Sequence, residues 1–187
     1  MTTIPNGLQD ASDLLTEDGF AVGVKWYHGT SSGLVASIQK RGLKRSGDKV
    51  MKQAAKNIMA TIGNSYTESI EPVFLTQSKE LAFYWAEQTV KERNVHRGVE
   101  EVPVVFLVDL PAELNAKVKP DVGAASLLLV EGNNYLEHLA SIYQAQELKA
   151  PVIDPLKSDR LDYLNKLGMA YLNQDIDAQF LKELPAK

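Results

Sequence analysis

Cysteine is absent from this sequence of 187 residues. That removes disulfides, thiolate zinc sites and cysteine nucleophiles from consideration. A chain without disulfides suits a reducing compartment, so a cytoplasmic location is expected. Long apolar runs are missing too. The longest, such as Val102–Val108, falls far short of the ~20 residues that a membrane-spanning helix needs, and no membrane partner is expected. Met1–Phe20 contains no lysine or arginine but does contain Asp10, Asp13, Glu17 and Asp18. The basic start of a secretory signal is therefore lacking. Residues 1–20 show no sustained period and read as a leader, with a short helix at Leu8–Leu15.

Other chemistries are excluded by what does not occur. No glycine-rich phosphate loop follows a strand, and no nucleophile elbow surrounds a serine. The neighbouring carboxylates Glu100 with Glu101, and Asp159 with Asp162, have no companion feature that would make a glycosidase or metal site. No metal is expected. The net charge of −4 gives no overall pull toward nucleic acid.

What is present is an ordinary globular composition, with 44% hydrophobic and 24% charged residues, enough for one domain over 21–187. The charge is unevenly spread. Lys40, Arg41, Lys44, Arg45, Lys49, Lys52 and Lys56 stand close together with only Asp48 among them. Such a strip is either a solvated helix face or a surface that attracts phosphate, from a dinucleotide or a nucleic-acid acceptor.

Periodicity yields an α+β chain. Ala21–Tyr27 alternates as a strand that ends at His28. Ser31-Ser32-Gly33 opens a helix with Leu34, Val35 and Ile38 on its apolar face, closed at Gly42. Residues 48–62 have helical spacing. Pro72–Thr76 is a short strand, Ser78 caps a helix to about Arg93, and Pro103–Leu110 is a buried strand. Helical pieces are expected at 124–130 and 135–141, then a strand within 143–153. An amphipathic helix spans 159–172, and the polar tail 173–187 is helical until Pro185.

His28 stands out among the three histidines. It is followed at once by Gly29, Thr30 and a new helix, where backbone groups can approach a ligand closely. His96 and His138 read as structural or exposed. Tyr27-His28-Gly29-Thr30, with the helix Gly33–Lys40 behind it, resembles the first motif of the ADP-ribosyltransferases of the diphtheria-toxin and poly-ADP-ribose polymerase group. That group is marked by a histidine, a tyrosine and a glutamate. Val73–Tyr84 is similar to its second motif, a strand, a turn and a helix bearing an aromatic ring. The chain departs from the pattern at Phe74 or Leu75, where many members carry a further tyrosine.

The resemblance covers residues 22–110 and, loosely, 141–165. It implies a split, strongly bent β-core with surrounding helices and NAD, as co-substrate, in the cleft. His28 would orient NAD through a ribose hydroxyl, and Gly29 would hold the carboxamide through its backbone. Thr30 and Phe74 complete the expected contacts. Tyr84 would stack on the cationic nicotinamide ring. The family's glutamate lies at the start of a late strand and stabilises the positive charge that builds on the ribose as nicotinamide leaves. Glu147 is the first choice for it and Glu131 the second. The activity implied is transfer of ADP-ribose from NAD to an acceptor, protein or nucleic acid, reached through the strip at 40–56. Two other readings stand beside it. One is a catalytically silent domain that binds NAD, ADP-ribose or a partner. The other is an NAD-dependent RNA 2′-phosphotransferase.

Overall fold

The computed structural model describes residues 3–21, 23–45, 70–121, 133–150, 152 and 160–185. The helix expected over 48–62, the helical piece at 124–130, Glu131 and the basic residues Lys49, Lys52 and Lys56 lie outside these. The described elements, in order, are α1 (Ala11–Leu14), β1 (Leu15–Thr16), β2 (Gly19–Phe20), β3 (Trp26–Ser31), α2 (Val35–Arg41), β4 (Val73–Thr76) and α3 (Lys79–Arg97). There follow β5 (Pro103–Val108), α4 (Ala112–Asn115), β6 (Lys119–Pro120), α5 (Asn133–Ala145), α6 (Arg160–Leu167), β7 (Met169–Leu172) and β8 (Leu181–Leu184). The chain is α+β. Six antiparallel strands form one sheet in the order β6-β7-β4-β3-β5-β8, and β1 and β2 form a separate hairpin.

Strand alternation divides the core between the two faces of the sheet. Trp26, Val73, Leu75, Phe106 and Val108 pack with Ile38 of α2 and with Ile176. Tyr27 and Val105 project the other way, onto Ala82 and Phe83 of α3. A third cluster joins Phe20, Leu81 and Tyr84 to Tyr135, Leu139 and Tyr143 of α5.

Helix α3 is fixed at both ends. Ser78 caps it locally by accepting from the Leu81 amide. Asp10 then reaches in from the N-terminal segment, accepting from the Ser78 hydroxyl at 2.7 Å and from the Lys79 amide at 2.7 Å. Burial raises the carboxyl of Asp10, opposed by those hydrogen bonds. The segment expected to be a leader is therefore part of the packed structure, with Leu8 and Phe20 buried. Near its other end, Arg93 is 2% exposed and pairs with Glu101 through Nε at 2.6 Å and Nη2 at 3.0 Å. The Ser31 hydroxyl donates to the same carboxylate, so this pair ties α3, β5 and the end of β3 together.

Several elements differ from the sequence expectation. β3 begins at Trp26 and runs on through Ser31, because each residue to Ser31 finds a partner on β5. His28 is thus mid-strand. The strand expected within 143–153 is replaced, among the described residues, by the end of α5 and a turn. Residues 159–172 are not one helix: Gly168 adopts φ 61 and ends α6, and Met169–Leu172 turns into β7 against β4. The tail forms a short 3-10 turn and the edge strand β8 rather than a helix.

Breaking a buried, hydrogen-bonded ion pair leaves one charge uncompensated and costs ~3–5 kcal/mol. Glu101→Gln is expected to lose that much, read from urea unfolding. Arg93 hydrogen bonding holds the Glu101 carboxyl down at about 2, against an ordinary 4.5. A depressed carboxyl stabilises the fold fully above pH 4.5. The wild-type midpoint should therefore fall as the pH drops from 4.5 toward 2, and more steeply than that of the variant.

Candidate functional site

The site begins with a fault in the sheet. β3 is paired with β5 along its whole length, but its register with β4 is the single pair Tyr27↔Thr76. Beyond that pair the two strands separate. Ser32 donates its amide to the Val102 carbonyl, which sets the alternation of the β3–β5 ladder. The even-numbered residues bond toward β5, so the amide and carbonyl of Gly29 turn toward β4. There they meet the opening rather than a strand.

His28 spans this opening. Its Nδ1 lies 2.9 Å from the carbonyl oxygen of Phe74. A carbonyl only accepts, so Nδ1 carries the hydrogen, and in the neutral ring Nε2 is left as an acceptor. Burial lowers the pKa of His28, opposed by that hydrogen bond. The ring is therefore neutral at pH 7, with its acceptor nitrogen available to a hydroxyl donor.

Two cavities share His28, Gly29, Phe74 and Thr89 in their linings. The first, about 300 Å³, is walled by Thr76, Trp85, Gln88, Thr89, Asp121 and Met169. The second, about 260 Å³, is lined by Thr30, Ser37, Arg41, Lys44 and Glu71 among others. Cavities of this size fit portions of a ligand. Phe74 is 41% exposed and offers a ring at the junction.

The helical wall is legible in its spacing. Ala82, Trp85, Thr89 and Glu92 recur at three and four residues and share one face of α3. That face can approach β3 because Gly29 has no side chain. A Cβ there would lie 1.9 Å from the Ala82 carbonyl oxygen and 2.8 Å from the Ala86 nitrogen. Gly29 thus has a packing role in addition to the open backbone that its sequence setting suggested. Gly42 is similarly constrained at the far end of the second cavity, with φ 75 and a Cβ position 2.0 Å from the Ile176 carbonyl oxygen.

Of the expected site residues, the structure brings together His28, Gly29, Thr30 and Phe74. It does not bring Tyr84 to the cavity lining. Tyr84 is 9% exposed and its ring stacks on His138 at 4.6 Å, with Tyr135 at 5.5 Å. One residue along α3 is about 100° of rotation, so Trp85 reaches the cavity lining where Tyr84 does not, while also packing on Tyr135 of α5 at 5.2 Å. Trp85 lines the first cavity with Tyr27 and Phe74, and its indole N–H donates to Met169 Sδ at 3.0 Å.

Glu147 is not at the site either. It is exposed in the turn after α5, with φ 57, and residues 148–150 directly after it are not a strand. The late strand that does border the cleft is β7, and it begins with Met169. Sequence reasoning also missed Asp121, which has no local pattern around it. The basic strip is partly engaged: Lys44 pairs with Asp175 at 3.3 Å, and Arg45 bonds Asp175 and Asn173.

Family models, curated proteins and solved structures were all compared with the chain, and none matches it.

Adding a methyl group at Gly29 must move either β3 or α3, since its nearest obstacle is backbone. Gly29→Ala is expected to cost ~3 kcal/mol, seen as a lower Tm, together with a weaker Trp85–Met169 contact. A variant of unchanged Tm would show that α3 does not rest on Gly29.

Proposed function

We propose that this chain is an ADP-ribosyltransferase-like domain that takes NAD as co-substrate and transfers its ADP-ribose to an acceptor. The observation that carries the reading is the opening between β3 and β4, where a neutral histidine and a glycine outside the β3–β4 register line two cavities. Nicotinamide would occupy the first cavity. Gly29 offers an amide and a carbonyl that match the two ends of a carboxamide. Trp85 and Phe74 offer aromatic faces to a cationic ring. The ribose beside it would donate a hydroxyl to His28 Nε2. The remainder of the dinucleotide would follow Thr30 into the second cavity, where Arg41 places positive charge near the pyrophosphate.

The silent-domain reading has one specific observation in its favour. At the start of β7, which borders the cleft, the chain has the thioether of Met169 and not a carboxylate.

Calorimetric titration with NAD tests the binding. Loss of one hydrogen bond to the ligand corresponds to ~1.4 kcal/mol, so His28→Ala should weaken NAD about tenfold. Burial lowers His28 below its ordinary 6.5, so affinity should stay flat above pH 6.5. It should decline at lower pH, as Nε2 gains a proton and ceases to accept. No saturable heat with millimolar NAD, or equal affinity for His28→Ala, would contradict the proposal.

A further inference from the structure

We infer, on the basis of the NAD reading above, that Asp121 is the carboxylate that faces the ribose in the first cavity, in place of a glutamate at the head of β7. Asp121 is only 6% exposed, yet it lines the cavity that contains His28, Gly29 and Trp85. Its position is set by the sheet. The pair Pro120↔Ala170 places Asp121 opposite Met169, and the Asp121 amide donates to the Met169 carbonyl at 3.0 Å. The carboxylate is thereby supplied from the end of β6, one strand over from the Met169 position. Met169 itself engages the Trp85 indole. A thioether carries no charge to set against a cation. The other acidic residue on this lining, Glu92, is exposed and lies on α3.

The chemistry needs one fixed negative charge. The bond between the ribose anomeric carbon and the nicotinamide nitrogen breaks, and its electron pair neutralises the pyridinium ring, which departs as nicotinamide. The ribose becomes oxocarbenium-like, and Asp121 stabilises it more than it stabilises intact NAD. An acceptor hydroxyl or water then forms the new carbon–oxygen bond and gives up its proton to solvent. Asp121 ends the cycle as it began.

The full chain is assayed for NAD affinity and for nicotinamide release. Asp121→Asn should bind NAD within about threefold of wild type and release nicotinamide ~100-fold more slowly. Adding Met169→Glu to Asp121→Asn should recover part of the rate, since the carboxylate then projects from the neighbouring strand. Full activity in Asp121→Asn overturns the inference. So does wild-type protein that binds NAD but releases no nicotinamide, which leaves the NAD reading standing. Wild-type protein that does not bind NAD overturns both. If Asp121→Asn does not fold, carbodiimide coupling of wild type is read by mass spectrometry. NAD should protect Asp121 and leave Glu147 reactive, and an unprotected Asp121 overturns the inference.

Discussion

A bare α-carbon at Gly29 lets helix α3 lie directly on the central strand, and the rest of the cleft follows from that contact. With the Ala82 carbonyl against Gly29, the rotation of α3 about its own axis is fixed. The face carrying Trp85, Thr89 and Glu92 then has to look into the opening beside β3. Two polar contacts keep the helix from sliding. Asp10 holds its first turn, and the Arg93–Glu101 pair anchors its far end to the start of β5. Asp10 and Gly29 are both distant from α3 in sequence, so the wall of the cavity depends on long-range folding.

The second constraint is the separation of β3 from β4. A continuous ladder would consume the Gly29 amide and carbonyl, and no ligand could reach them. In its place a side chain, His28, makes the cross-strand hydrogen bond to Phe74. This closes the gap mechanically while leaving the glycine backbone open. It also fixes the tautomer of the ring. The same hydrogen bond therefore shapes the cleft and sets which nitrogen can meet a ligand.

Much of the frame was legible from local signals. Ser78 before an apolar-periodic run and Gly42 after one mark helix ends whose chemistry is contained within a few residues. The strands at 73–76 and 103–108 are short, β-branched and bounded by proline or a polar turn. β7 was not legible. Leu161, Leu164, Leu167 and Leu172 keep a helical spacing straight through Gly168, and only the left-handed backbone at that glycine breaks it. β8 reads Leu-Lys-Glu-Leu, a polar edge strand defined by its pairing with β5 and not by its own pattern. The site shows the same division. His28, Gly29, Thr30 and Phe74 sit on two strands whose motifs are contiguous. Choosing Trp85 over Tyr84 required the rotation of α3, which is set by Gly29. Asp121 enters only through the pairing of β6 with β7.

The neutral, Nδ1-protonated His28 with Nε2 left as an acceptor is the point on which the NAD reading rests. Nitrogen-15 NMR of the imidazole reports both nitrogens separately. At pH 7, Nδ1 should carry the proton with and without NAD, and the Nε2 resonance alone should move on saturation. A ring protonated at Nε2, or one whose two resonances are indifferent to NAD, would contradict it.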